Sequence, residues 1–362
     1  MIFLDWLKSQ ANSRYAEIPE RWVNYEDLAY LAGQISDDLI ANYENPALQP
    51  FVRNALIDLS GLFLEAAPGL ARGEMQKLAG SAVDYIRQVV ALLLSKAPTE
   101  TSHLQIFADA CQDPLVSEVN LFTLNHDSLL ETSLRERGVT VVDGLRDASD
   151  GSRRWDPSVF DAAVGEKHVN LFKLHGSVDW FRWGPRQERS RDNVAIGNAD
   201  RDGGFVGTYH ARNPKKPLYE HVLASEGPRI LAGTFNKILD YSSEVFIELH
   251  HRFHRALRDC RTLVICGYGF GDKGVNTRIA EWRHKSWNPK LLIIDPAAPS
   301  KIVQRARGAI QREIAVLHPE TAIGPFSPGT VLHWRNGLEE RLKCTGDPVI
   351  TWERIRAVLQ DC

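Results

Sequence analysis

Val119-Asn-Leu-Phe-Thr-Leu-Asn-His-Asp127 is the stretch on which the fold turns. It is a short apolar run that ends abruptly in polar residues, and further runs of the same kind follow it: Asn170 to Leu174, Ile230 to Gly233, Thr262 to Gly267 and Leu291 to Asp295. Such runs, apolar on both faces, belong to strands buried in a parallel sheet covered by helices. Ser243 to Leu257 and Val275 to Lys285 lie between such runs and are long enough to cross from one parallel strand to the next. The expected fold class is therefore α/β, a doubly wound parallel sheet.

Upstream, to about residue 115, apolar residues recur at spacings of three and four, which predicts helices. Asn24 is placed to cap a helix carrying Leu28, Leu31, Ile35 and Leu39 on one face, and a second helix runs from Pro46 through Leu56, Leu59 and Phe63. A third spans Gly73 to Lys96, with Ala82, Ile86, Val89, Val90 and Leu93 inward. The expected organisation is a helical subdomain over residues 1–115, a sheet domain over 116–345 and a C-terminal helix over 346–362. Residues 183–228, rich in Gly, Arg and Asp, read as a long loop or a small β insertion beside the site.

With 362 residues, 43% of them hydrophobic and 25% charged, the chain can bury a large core. Val89 to Ser95 is too short to span a bilayer, and Asp5 and Lys8 interrupt the apolar start, so neither a membrane segment nor a signal peptide is expected and the protein reads as cytoplasmic. A net charge of −3 supplies no bulk attraction to nucleic acid, and the basic run Arg182 to Arg191 reads as a solvated loop. The five cysteines, Cys111, Cys260, Cys266, Cys344 and Cys362, are scattered and form neither a disulfide framework nor a metal knuckle.

In open parallel sheets, ligands bind beyond the carboxyl ends of the strands, so the polar residues directly after each run are the candidates for chemistry. These are Asn125, His126 and Asp127; His175 and Gly176; Gly267-Tyr-Gly-Phe-Gly-Asp272; and Asp295. Glycines between a strand and a helix allow backbone N–H groups to approach phosphate, and an acid ending the next strand suits a ribose hydroxyl. A histidine near its neutral pKa can take a proton from water, while an asparagine amide orients that oxygen without adding charge. Asn125 and His175 thus form a plausible glycosidic-bond site. Both stand at strand ends, where truncation is expected to open no core cavity.

Phe122-Thr-Leu-Asn-His-Asp-Ser-Leu-Leu-Glu131 resembles the Thr-x-Asn-x-Asp segment of bacterial sirtuin-like proteins. Lys173-Leu-His-Gly-Ser177 with Trp180 is similar to that family's Lys-Leu-His-Gly-Ser segment, and Gly267 to Asp272 with Asn276 to its Gly-Tyr-Ser-Phe-x-Asp-x-x-x-Asn. The resemblance covers roughly residues 20 to 300 and is strong around these three motifs, which occur in family order. It implies a Rossmann-like sheet that binds NAD as substrate, with Asn125 orienting water and ribose, His175 acting as base and Asp127 near the nicotinamide end. Gly267, Gly269 and Asp295 would serve the phosphates and adenosine, with Asp272 and Asn276 of the same glycine motif also counted as cofactor-binding.

The implied activity is NAD glycohydrolysis to ADP-ribose and nicotinamide by the effector of a bacterial anti-phage defence system. Homo-oligomers and pairing with a translocating ATPase or a short argonaute are the assemblies the resemblance implies. The alternative is a non-catalytic subunit that binds NAD or ADP-ribose or scaffolds a partner. Protein-deacylating sirtuins carry four cysteines for zinc; no such spacing exists here, so no metal is expected and a deacylase is disfavoured. The family also opens with an apolar strand and a Gly-Ala-Gly-x-Ser loop. Here the first glycine is Gly33, and Met1-Ile-Phe-Leu-Asp-Trp-Leu7 resembles the helix after that loop, so such a strand and loop are expected to be encoded upstream.

Other residues carry weaker signals. His250 and His254 share a helix face, but His251 stands where a zinc protease has glutamate. Trp180 and Trp183 read as packing aromatics, and Lys237 and Tyr241 as residues that can face the cleft.

Overall fold

The computed structural model describes residues 25–37, 57–58, 72–96, 101–147, 153–162, 167–182, 194–196, 198–199, 205–206, 228–231, 241–242, 244–285, 289–295, 299–311, 331–335, 338–342 and 351–360. The second predicted helix apart from Ile57 and Asp58, the opening Met1 to Leu7, Trp183, Lys237, Cys344 and Cys362 lie outside these residues.

The α/β expectation holds. Strand β1 (Val119–Thr123) pairs in parallel with β5 (Val169–Lys173), which pairs in parallel with β2 (Val141–Val142) on its other side. A second sheet pairs β10 (Thr262–Cys266) with β11 (Lys290–Ile294) in parallel. It continues into an antiparallel hairpin, β12 (Val331–Arg335) and β13 (Leu338–Leu342), which is not among the apolar runs because polar and charged residues interrupt both strands.

The two sheets share their covering layers. On one face, Phe172 and Leu174 from the first sheet and Ile265, Leu291 and Ile293 from the second belong to one buried cluster. The cluster also contains Phe246, Leu249 and Phe253 of helix α6 (Glu244–Asp259) and Val275, Ile279 and Trp282 of α7 (Lys273–Lys285). Phe122 stacks on Phe172 with ring centroids 4.7 Å apart. On the other face, Ala108 and Cys111 of α3 (Gln105–Gln112) bury with Val169, while Ile106 of the same helix packs with Leu292 and Ile294. Helix α9 (Trp352–Gln360) joins that face through Ile355. Among the described residues, β1 and β10 are each an edge strand of their sheet, the opposite edges being β2 and β13. Every residue of β1 is partly exposed, and Val264 of β10 is 38% exposed, although its neighbours Leu292 and Ile294 are buried.

Helices α1 (Tyr25–Asp37) and α2 (Arg72–Leu94) pack on each other. Ala82, Ile86 and Val90 of α2 are buried as the periodicity predicts, but Leu93 is exposed. Ala29, Ile86, Val90 and Ala91 pack against Val178, Phe181 and Ile230, which places this helical pair beside the turn that follows β5.

A small antiparallel sheet, built of strands too short to stand out as apolar runs, orders β3 (Leu145–Asp147), β4 (Arg153–Trp155), β7 (Val194–Ile196) and β6 (Trp180–Arg182). Between residues 183 and 228 the described residues include β7, β8 (Asn198–Ala199) and β9 (Phe205–Val206), the last two paired antiparallel. The expected strand Ile230 to Gly233 is corrected over its described part: Ile230 makes an isolated antiparallel bridge to Gly176 and does not join the parallel sheet. No helix of the described residues is long and apolar enough to cross a membrane.

Candidate active site

The register of β1 and β5 pairs Thr123 with Lys173, and Leu174 N–H continues the ladder to the Thr123 carbonyl at 3.0 Å. Asn125 and His175 therefore stand at matching positions two residues beyond the last pair, on adjacent strands. Asn125 is exposed, its backbone N–H held by Thr123 Oγ1 at 3.1 Å. His175 is only 4% exposed, which corrects the expectation that its truncation would leave the core untouched.

The turn after His175 is fixed from several sides. Gly176 has φ +76, and a Cβ there would meet the Arg229 carbonyl oxygen at 2.0 Å. Ser177 N–H donates to that same oxygen, Leu231 N–H to the His175 carbonyl, and Val178 N–H to the His126 carbonyl. Gly176→Ala is expected to destabilise the fold by more than about 2 kcal/mol, since a left-handed conformation and a backbone collision both oppose the methyl group. A urea titration in which this variant unfolds at the wild-type midpoint would contradict the placement of the turn.

Below Asn125 lies a buried ion pair. Lys173, 2% exposed, donates through Nζ to Glu131 Oε1 at 2.7 Å and to the Asp127 carbonyl. Asp127 in turn accepts the Leu129 N–H on Oδ1 at 3.0 Å, at the start of α4 (Leu129–Glu136). Asp127 thus shapes the loop that presents Asn125, its carbonyl held by Lys173 and its carboxylate by the first N–H of α4.

The glycine segment follows β10 as expected. Gly267 adopts φ +65, and its N–H continues the sheet to the Ile294 carbonyl at 2.9 Å. Gly267, Gly269 and Gly271 are exposed, and a Cβ built on any of them meets nothing within 4 Å. The loop thus turns bare backbone toward open space beside the strand ends, which fits a phosphate-bearing ligand. Phe270 between them has φ +53, a left-handed conformation rarely adopted by a bulky residue. It is held by complete burial of its ring and by its carbonyl, which accepts from Asn276 Nδ2 at 2.8 Å and from Arg307 N–H at 2.9 Å. Asn276 is fully buried, donates also to the Arg307 carbonyl, and accepts from the Tyr268 hydroxyl at 2.8 Å. It braces the loop from inside.

Asp272 closes the loop and turns into the site. Its Oδ1 accepts from Gly274 and Val275 N–H at the start of α7, and its Oδ2 accepts from His175 Nε2 at 2.8 Å and from the Tyr241 hydroxyl. Burial alone would raise its pKa. The hydrogen bond and charge of His175, with the Tyr241 hydroxyl and the Val275 N–H, outweigh that and hold the carboxyl well below the usual carboxylate range. An anionic Asp272 assigns the imidazole proton to Nε2 and makes Nδ1 the basic ring nitrogen. The sequence places Asp272 in the glycine motif; that it partners His175 across 97 residues is visible only in the fold.

Asp295 directly follows β11, is 4% exposed and forms an ion pair with Arg305 of α8 (Pro299–Arg305). His250 lies in α6 and is 1% exposed; burial pushes its pKa down to about 3, so the ring is neutral. It is not drawn into a cluster with His254: among the described residues no group of His, Cys, Asp and Glu could hold a metal ion. The sequence reading missed Glu131 as a partner, although a lysine ending a buried apolar strand has to find a carboxylate.

Compared with known families, residues 119–315, more than half of the chain, match the SIR2-like domain. No curated protein matches the chain.

Proposed function

The chain belongs to the SIR2-like family, whose domains are generally NAD-dependent enzymes, and from that premise we propose that it hydrolyses NAD to ADP-ribose and nicotinamide. The observation that carries this reading is the juxtaposition of Asn125 and His175 beyond paired strand ends, with Asp272 of the glycine loop bonded to His175. The bond from the nicotinamide nitrogen to the ribose carbon breaks through an oxocarbenium-like state, nicotinamide leaves with the electron pair, and water adds to the carbon. His175 takes the water's proton on Nδ1, while the Asn125 amide orients the water and a ribose hydroxyl. A positioned base contributes about 10² to 10⁴ in rate. Asp272 supports it by fixing the tautomer and offsetting the charge that forms on the ring.

The open glycine loop and Asp295 supply the nucleotide end of the same site. Asp295→Asn is expected to raise KM for NAD several-fold with little change in kcat, because a ribose contact far from the broken bond is shared by ground and transition states. A large loss of kcat at unchanged KM would count against that assignment.

The sequence resemblance supports placing this hydrolysis in anti-phage defence, in a homo-oligomer or beside a translocating ATPase or short argonaute. The deciding experiment is nicotinamide release from NAD by the purified chain, with no protein substrate added and with or without such partners. Release supports hydrolysis. Binding of NAD or ADP-ribose without release in either condition favours the non-catalytic subunit instead.

A further inference from the structure

Tyr241 sits just before α6, 5% exposed, and its hydroxyl reaches the very oxygen of Asp272 that His175 uses. The same hydroxyl lies 3.5 Å from His175 Nε2. Its ring stacks on His250 with centroids 3.6 Å apart and planes inclined by 20°. His250 donates from Nε2 to the carbonyl of Leu174, the residue before His175, at 3.2 Å. Helix α6 and the segment leading into it therefore support the histidine twice, once through its hydrogen-bond partner and once through the backbone of the residue before it. The stacked pair ties the two supports together.

We infer that Tyr241 is a positioning residue for His175: its hydroxyl holds Asp272 in place and limits how strongly that carboxylate draws on the imidazole. This rests on the proposed hydrolysis for its catalytic meaning, but not for its geometry. Two donors share Asp272 Oδ2, so charge given to one is withheld from the other. Tyr241 is a committed donor, because burial and then the charge of Asp272 push its hydroxyl pKa far up. Among the described residues, the other groups facing this triplet include His126, whose ring centroid is 6.1 Å from that of His175, Glu26 of α1, Tyr268 of the glycine loop, His250 of α6 and Arg278 of α7. Of these, Tyr268 is held protonated and His250 neutral by burial, so neither changes charge near neutral pH.

The test is Tyr241→Phe, which keeps the ring and its stack on His250 and deletes only the oxygen. Two quantities are measured in wild type and variant: the pH dependence of kcat/KM for NAD, and the ¹⁵N NMR titration of the His175 ring in the ligand-free protein, with His175→Gln identifying its signals. Without the hydroxyl, Asp272 draws harder on the ring. The acid limb of the rate profile should then move up by about half to one pH unit, an approximately 3- to 10-fold loss below it, while the alkaline plateau is retained. The NMR curve should move in the same direction. An even loss of activity across all pH values with an unmoved NMR curve would overturn the inference and leave Tyr241 a packing residue. If neither protein cleaves NAD, the NMR curve alone decides: a shift upholds the positioning role while the hydrolase reading falls, and no shift ends both.

Discussion

His175→Ala is expected to lower NAD hydrolysis by about 10² to 10⁴-fold, the contribution of a positioned base, and to lower the melting temperature as well. The second effect follows from burial. Asp272 is held below the usual carboxylate range largely by His175, and a depressed carboxyl contributes stability above its unfolded pKa that is lost as pH falls through its folded one. Remove the histidine and burial, the first influence on Asp272, is opposed mainly by Tyr241 and two backbone donors. The variant should therefore lose most stability, relative to wild type, at neutral pH and less in acid. Asn125→Ala makes the contrast. Its side chain is exposed, so activity should fall by about 10² to 10³-fold, the typical cost of one positioned amide donor, with the melting temperature unmoved. Nicotinamide release and thermal melts on the same samples separate the two. Wild-type turnover by either variant would sink the assignment of the site.

Lys173→Met should be the most destabilising of the single changes considered, by roughly 3–5 kcal/mol, because it leaves a buried carboxylate without its cation. Glu131 is buried, and that burial raises its pKa even though Lys173 opposes it. A carboxyl whose folded pKa is raised gives stability that is full below its unfolded pKa and is lost as pH rises through the folded one. Without Lys173 the rise is larger, so the deficit against wild type should widen from about pH 4.5 to pH 8. Urea midpoints at those two values measure it, and a deficit that stays constant or narrows would contradict the ion pair. The Asp127 carbonyl also loses its donor, so NAD hydrolysis should fall through displacement of the Asn125 loop.

The sequence by itself determined the parallel strands and their polar ends. Val119 to Leu124, Asn170 to Leu174, Thr262 to Gly267 and Leu291 to Asp295 carry apolar residues on both faces, a pattern that suits strands of a parallel sheet covered by helices. Because ligands collect at the carboxyl ends of such strands, Asn125, His175, the glycine loop and Asp295 were legible as candidates from position alone. The hairpin of β12 and β13 and the sheet of β3, β4, β6 and β7 were not, since short, partly charged strands carry no distinctive period. Tertiary structure alone decided what each polar group bonds to. That His175 meets Asp272, that Tyr241 shares the same carboxylate oxygen, and that Lys173 turns to Glu131 depend on register and helix placement between segments up to 97 residues apart. Pairing of this kind leaves no periodic trace: a hydrogen bond needs one donor and one acceptor within about 3 Å, and which two meet is fixed by packing of the apolar residues around them.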